Sequence, residues 1–132
     1  GHVSDCEYEV RDVSYSVHTK RDAPSDAPKT MRVDYRLGLD HWQCEFICFE
    51  HSGYARQKSI AWWRRRSPDP VPDTAEHAVE IAESGGVALA EKIVVRSVAG
   101  EKYNRIVGYQ LGPLPEAIPA SGSYDDDDDI PF

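Results

Sequence analysis

No apolar run in this chain approaches the length of a membrane-spanning helix, about 20 residues, and nothing near its start has the basic-then-apolar form of a secretory signal. Both absences point to a soluble chain of the cytoplasm. Cysteine is scarce. Cys6, Cys44 and Cys48 are an odd number, which gives no disulfide framework and suits a reducing compartment. There is no Gly-x-x-x-x-Gly-Lys-Ser/Thr phosphate loop, so nucleotide hydrolysis by that route is excluded. Positive charge is in deficit, with a net charge of −8, but five of the negative charges are Asp125–Asp129, leaving −3 for the rest. A body that mild has room for a basic face. The 132 residues are one domain by size. Gly1-His2 reads as a tag remnant at 1–2, and the chain as the end of something longer.

Catalytic residues are as sparse. Asp40, His41, Glu45, Glu50 and His51 are the candidates for acid–base work, and a nuclease would need two or three carboxylates converging on Mg²⁺. Glu45 and Glu50 differ by five positions, so a regular strand turns them to opposite faces. No nucleophile stands next to a base. His41, Cys44, Cys48 and His51 suggest a metal, since they fall within one short stretch. Yet Cys44 and Cys48 on a straight strand stand about 13 Å apart, too far to share a zinc with ligands near 2.3 Å. The expectation is therefore a noncatalytic chain with no metal and no cofactor, in which the two cysteines are small buried hydrophobes.

What is present reads as α+β. Glu7 to His18 is rich in strand-forming residues with mostly period-two spacing, and its phase slip between Val10 and Val13 predicts a bulge near Arg11-Asp12. Thr19 to Thr30 has loop composition. Met31 to Leu37 and Trp42 to Glu50 complete a predicted antiparallel meander. Tyr54 to Arg66 predicts a helix, with Ser52 as N-cap and Ser67-Pro68-Asp69-Pro70 as stop. At helical spacing Tyr54, Ala55, Ala61 and Trp62 gather inward, with Trp63 off that face. A short helix follows with Ala75, Ala78, Val79 and Ala82 inward, closed by Gly85-Gly86. Lys92 to Val98 and Tyr103 to Leu111 predict a hairpin around Ala99-Gly100-Glu101-Lys102. The order β-β-β-α-α-β-β thus predicts a mostly antiparallel sheet of about five strands with two helices over residues 3–112. Residues 113–132 read as a flexible linker and acidic tail.

That tail is the most specific stretch. Asp125, Asp126, Asp127, Asp128 and Asp129 repel one another and have nothing to bury. Ile130, Pro131 and Phe132 then put an aromatic ring and the terminal carboxylate on one residue, a tip suited to capture by an apolar pocket beside a cation. This end resembles the acidic C-terminal tip of bacterial single-stranded-DNA-binding proteins (SSB). The resemblance implies a docking peptide for genome-maintenance proteins that recognise such tips; a passive solubilising tail is the plainer alternative.

A second resemblance covers most of the body. Arg36-Leu37-Gly38-Leu39, Cys48-Phe49-Glu50-His51-Ser52-Gly53-Tyr54-Ala55-Arg56, Ala61-Trp62-Trp63-Arg64-Arg65-Arg66, Pro70-Val71-Pro72 and the Tyr103 to Gly112 strand look like the C-terminal region of DEAD/DEAH-box helicase-like proteins of bacteria and phages. The helicase motifs themselves are absent, so what the resemblance implies is a noncatalytic accessory module, cytoplasmic and nucleoid-associated, that once sat behind a motor. Two uses of the body follow. In one, Trp63, Trp42 or a strand tyrosine stacks on bases of single-stranded DNA while Arg56, Lys58, Arg64, Arg65 and Arg66 pair with phosphates. In the other, the arginine cluster binds acidic protein tails and DNA has no direct role. The plainer reading of Arg64, Arg65 and Arg66 is that they complement the carbonyl end of the helix dipole.

Overall fold

The phase slip between Val10 and Val13 marks a change of sheet. In the computed structural model, which describes residues 2–116, Val3–Glu9 (β1) and Asp12–His18 (β2) are separate strands. The Val10 N–H donates to the Glu91 carbonyl at 2.9 Å, and the next N–H, that of Arg11, donates to the Arg36 carbonyl at 2.8 Å. Consecutive residues thus bond to different sheets, and a corner stands where a bulge was expected.

Thr30–Arg36 (β3) and Trp42–Ile47 (β4) complete the antiparallel meander β2-β3-β4, with Met31 opposite both Val17 and Ile47. Alternation is clean on β3. Met31, Val33 and Tyr35 are buried, while Arg32, Asp34 and Arg36 stand half-exposed on the other face. Two helices follow, Gly53–Arg66 (α1) and Ala75–Glu83 (α2), and then Ala90–Val98 (β5) and Arg105–Leu111 (β6). The second sheet is also antiparallel, in the order β1-β5-β6. The fold is α+β as expected, and the described residues form six strands in two three-stranded sheets rather than about five in one.

The inward face of α1 differs from its expectation. Ser59, Trp62, Trp63 and Arg66 are buried, whereas Tyr54 is 78% exposed and Ala55 and Ala61 face solvent. The buried residues do follow helical spacing, but two of the four are polar, so no apolar stripe was visible. Ser59 is satisfied locally: its Oγ accepts from the Cys48 N–H at 2.7 Å and donates to the Ala55 carbonyl at 2.8 Å. Ser52 holds the N-cap position without a side-chain capping bond.

On α2 the expected face is buried at Ala75, Ala78 and Ala82 and packs on β2 and β3. Thr74 caps it by accepting from the His77 N–H at 3.1 Å. Its end needs glycine at Gly86, where a Cβ would lie 2.4 Å from Ile81 Cγ2 and 2.9 Å from the Ile81 carbonyl oxygen. Among the described residues no helix is long and apolar enough to cross a membrane. The acidic end, Asp125–Phe132, lies outside the described residues.

Candidate functional site

β4 divides its side chains between two environments, and each builds part of the site. Gln43, Glu45 and Ile47 point inward; Trp42, Cys44 and Phe46 occupy the outer face. Register sets Trp42 opposite Arg36, Cys44 opposite Asp34 and Phe46 opposite Arg32. The outer face therefore carries two aromatic rings, 49% and 45% exposed, each beside an arginine. The Arg32 guanidinium carbon lies 5.9 Å from the Phe46 ring centroid, and its Nε donates to Asp34 at 3.0 Å. His18 joins from β2, its ring 4.9 Å from that of Phe46. Trp42 and Phe46 are about 13 Å apart along the strand, with Cys44 between them on the same face.

The free edge of β4 faces a groove walled by α1 and β6, with a volume of about 800 Å³. Lys58 and Arg65 reach it from α1 and Arg105 from β6. At its floor Glu45 acts as a hub. Its carboxylate accepts from the Tyr35 hydroxyl, from the Tyr109 hydroxyl at 2.5 Å and from Trp62 Nε1–H at 3.2 Å. Burial first, then the Glu45 charge and its hydrogen bonds, push both phenols far above the usual tyrosine range. Arg66 lies beside this cluster, its guanidinium carbon 4.3 Å from the Trp62 ring centroid and 4.4 Å from that of Tyr109. Desolvation draws its pKa below the arginine norm, with Tyr35, Tyr109 and Glu45 opposing.

These placements correct part of the expected nucleic-acid surface. Trp63 is fully buried, edge-on to Phe49 at 5.5 Å, with its indole N–H on the Asp69 carbonyl at 3.0 Å, so no base reaches it. Arg66 is 2% exposed and its Nη1 donates to the Trp62 carbonyl at 2.9 Å; it is a core residue and not a phosphate contact. Arg56 is half-buried and donates to the Phe49 carbonyl. Lys58, Arg64, Arg65 and Trp42 are exposed. Phe46, Arg32 and Arg36 were missed, because the stretch 42–49 read as a buried strand. The i, i+4 placement of Trp42 and Phe46 beside alternating arginines on β3 was the available signal.

The other candidates have structural partners. Glu50 accepts from the Lys29 N–H at 3.1 Å and the Ala75 N–H at 2.8 Å, tying the 19–29 loop to the start of α2. His41 stands edge-on to Tyr8 at 4.9 Å. Cys44 and Cys48 are half-exposed rather than core, and burial raises the Cys48 thiol against the opposing charge of Lys58. Among the described residues no three His, Cys, Asp or Glu side chains stand close enough to share a metal ion. Comparison of the chain with protein-family models, curated proteins and solved structures finds no match.

Proposed function

We propose that this chain is a noncatalytic binding module for single-stranded DNA, carrying at its acidic end a docking peptide for proteins that recognise SSB tips. One observation carries the DNA reading: two half-exposed aromatic rings, Trp42 and Phe46, lie on the outer face of a sheet with Arg36 and Arg32 opposite them. Stacked bases need such rings, and the backbone needs cations close by. Lys58 and Arg65 in the adjoining groove and Arg64 on the same helix supply them. The resemblance to helicase-like proteins gives the module its setting, as an accessory of a DEAD/DEAH-box motor in replication or repair within the nucleoid.

Titration with single- and double-stranded oligonucleotides at two salt concentrations is the test. Trp42 is the exposed tryptophan while Trp62 and Trp63 are buried, so binding is expected to quench the emission of Trp42. Trp42→Ala should weaken binding by about 1–3 kcal/mol, the worth of one stacked base. The pair Arg64→Ala, Arg65→Ala should lower affinity and flatten the salt dependence by about 0.7 in log–log slope for each phosphate no longer neutralised. Undiminished affinity in both folded variants would remove nucleic acid from the reading.

A second reading rests on the groove. Lys58, Arg65 and Arg105 around this groove suit an acidic peptide, in which case the body binds protein tails and DNA has no direct role. The tail bears on both readings. Deleting Asp125–Phe132 should tighten DNA binding by the body, since five carboxylates compete with phosphates for the same cations, and should abolish binding to receptors of SSB tips. Phe132→Ala alone should remove most of the receptor binding, because the ring fills the pocket that the aspartates steer toward. If deletion changes neither binding, the tail is a passive solubiliser.

A further inference from the structure

Among the described residues β4 pairs with β3 on one side and with no strand on the other, which leaves an open strand edge along the groove. The register fixes which backbone groups that edge offers. In an antiparallel pair, residues that bond across alternate with residues whose N–H and C=O groups point away. The Leu37 N–H donates to the His41 carbonyl at 2.8 Å, in line with the β3-β4 register, so Gln43, Glu45 and Ile47 bond to β3. Cys44 and Phe46 therefore turn their N–H and C=O groups to the free side. Cys48 agrees with this phase, since its N–H reaches Ser59 Oγ on α1 at 2.7 Å. That hydroxyl closes one end of the edge, and Gln43 Nε2, donating to the Asn104 carbonyl at 3.4 Å, closes the other. Between them lie the backbone groups of Cys44 and Phe46, with the Cys48 thiol 4.0 Å from the Phe46 carbonyl. The groove walls carry Lys58, Arg65 and Arg105 against one carboxylate, Glu45, which Tyr35, Tyr109 and Trp62 already satisfy.

We infer that the free edge of β4 takes an extended acidic segment of a partner protein as an added strand. The inference rests on the acidic-peptide reading of this groove and deepens it, by naming the atoms that hold the peptide. Main-chain bonds to Cys44 and Phe46 hold its backbone, and every second side chain turns toward Lys58, Arg65 and Arg105. Charge selects the occupant: aspartate or glutamate at alternate positions meets the three cations, and a basic segment is repelled. A phosphodiester backbone fits less well. It has acceptors for the cations but no donors, so both strand carbonyls would go unmet.

The test uses the full chain, ¹⁵N-labelled, and the peptide acetyl-Asp-Val-Asp-Val-Asp-Val-Asp-amide. The expected result is saturable binding that slows hydrogen exchange at the Cys44 and Phe46 amides, while Gln43 and Glu45, already bonded to β3, exchange as before. N-methylation of every second peptide residue should weaken binding about ten-fold or more when the methyls fall on the set facing β4, and little when they fall on the other set, because successive residues of a strand point their N–H groups to opposite sides. Lys58→Glu with Arg105→Glu should also lower affinity about ten-fold or more. Cys44→Pro removes an edge N–H that β3 does not use and should weaken binding in turn; if that variant fails to fold, the methylated peptides make the same test on the unaltered chain. Peptide binding that neither methylation pattern diminishes overturns the added strand while the acidic-peptide reading stands. No binding of the peptide overturns both and leaves the aromatic sheet face untouched. Slowed exchange at Cys44 and Phe46 with a single-stranded oligonucleotide and not with the peptide gives the groove to DNA and overturns the inference. Slow exchange at both amides in the free chain would mean that the edge is filled within the chain itself, which overturns the partner.

Discussion

Glu45→Ala is expected to cost about 1.5–3 kcal/mol of stability, the range for losing hydrogen bonds to a charged group. The carboxylate accepts from Tyr35, Tyr109 and Trp62, three donors contributed by β3, β6 and α1. Truncation leaves those donors facing one another without an acceptor, at about 1–3 kcal/mol for each that water cannot reach. It also removes the negative charge that helps keep the buried Arg66 guanidinium protonated. Glu45→Gln should lose less, because one acceptor oxygen remains in place. Urea unfolding of both variants checks this, with Arg64→Ala as an exposed control expected within about 0.5 kcal/mol of wild type. A Glu45→Ala protein with the wild-type midpoint would mean that water serves the cluster as well as the carboxylate does.

Alkaline pH should destabilise the fold steeply. Tyr15 is pushed up to about 12, mainly by burial, and Tyr35 and Tyr109 are raised further, while in the unfolded chain each titrates near 10. A folded pKa above the unfolded one means that stability is fully present below pH 10 and declines above it, as the unfolded chain releases protons that the folded chain retains. Each such group contributes a slope of about 1.4 kcal/mol per pH unit. Melting temperatures should be level from pH 8 to 9 and fall sharply beyond pH 10, and Tyr15→Phe should make that fall shallower. A melting temperature unchanged to pH 11.5 would mean that the three phenols ionise in place without unfolding the protein.

The parts of this fold legible in the sequence were those governed by side-chain alternation and local punctuation. Met31, Val33 and Tyr35 announced β3, Gly85-Gly86 closed α2, and the β5-β6 hairpin lay around Ala99-Gly100, where its turn residues placed it. Three things were not legible. The corner at Val10-Arg11 looked like a bulge, because a bulge and a change of sheet both shift the phase by one residue. The buried face of α1 was hidden by Ser59 and Arg66, polar residues whose burial depends on partners elsewhere in the chain. The division of the arginine cluster, with Arg64 and Arg65 outward and Arg66 inward, depends on Trp62 and Tyr109 flanking one guanidinium. No local pattern encodes a contact between residues 66 and 109.

The pairing of β1 with β5 joins Val3 to Val98, whereas β2, β3 and β4 pair with close neighbours in sequence. Closing a loop of that length costs entropy before any contact compensates for it, and such pairings form late. The chain therefore has a built-in order of assembly. During synthesis the meander and α1 are free to form as soon as they emerge, while β1 waits with its backbone unpaired until β5 has been made. A ribosome stalled before residue 90 would hold out β1 without its partner, open to proteases and to pairing with other chains.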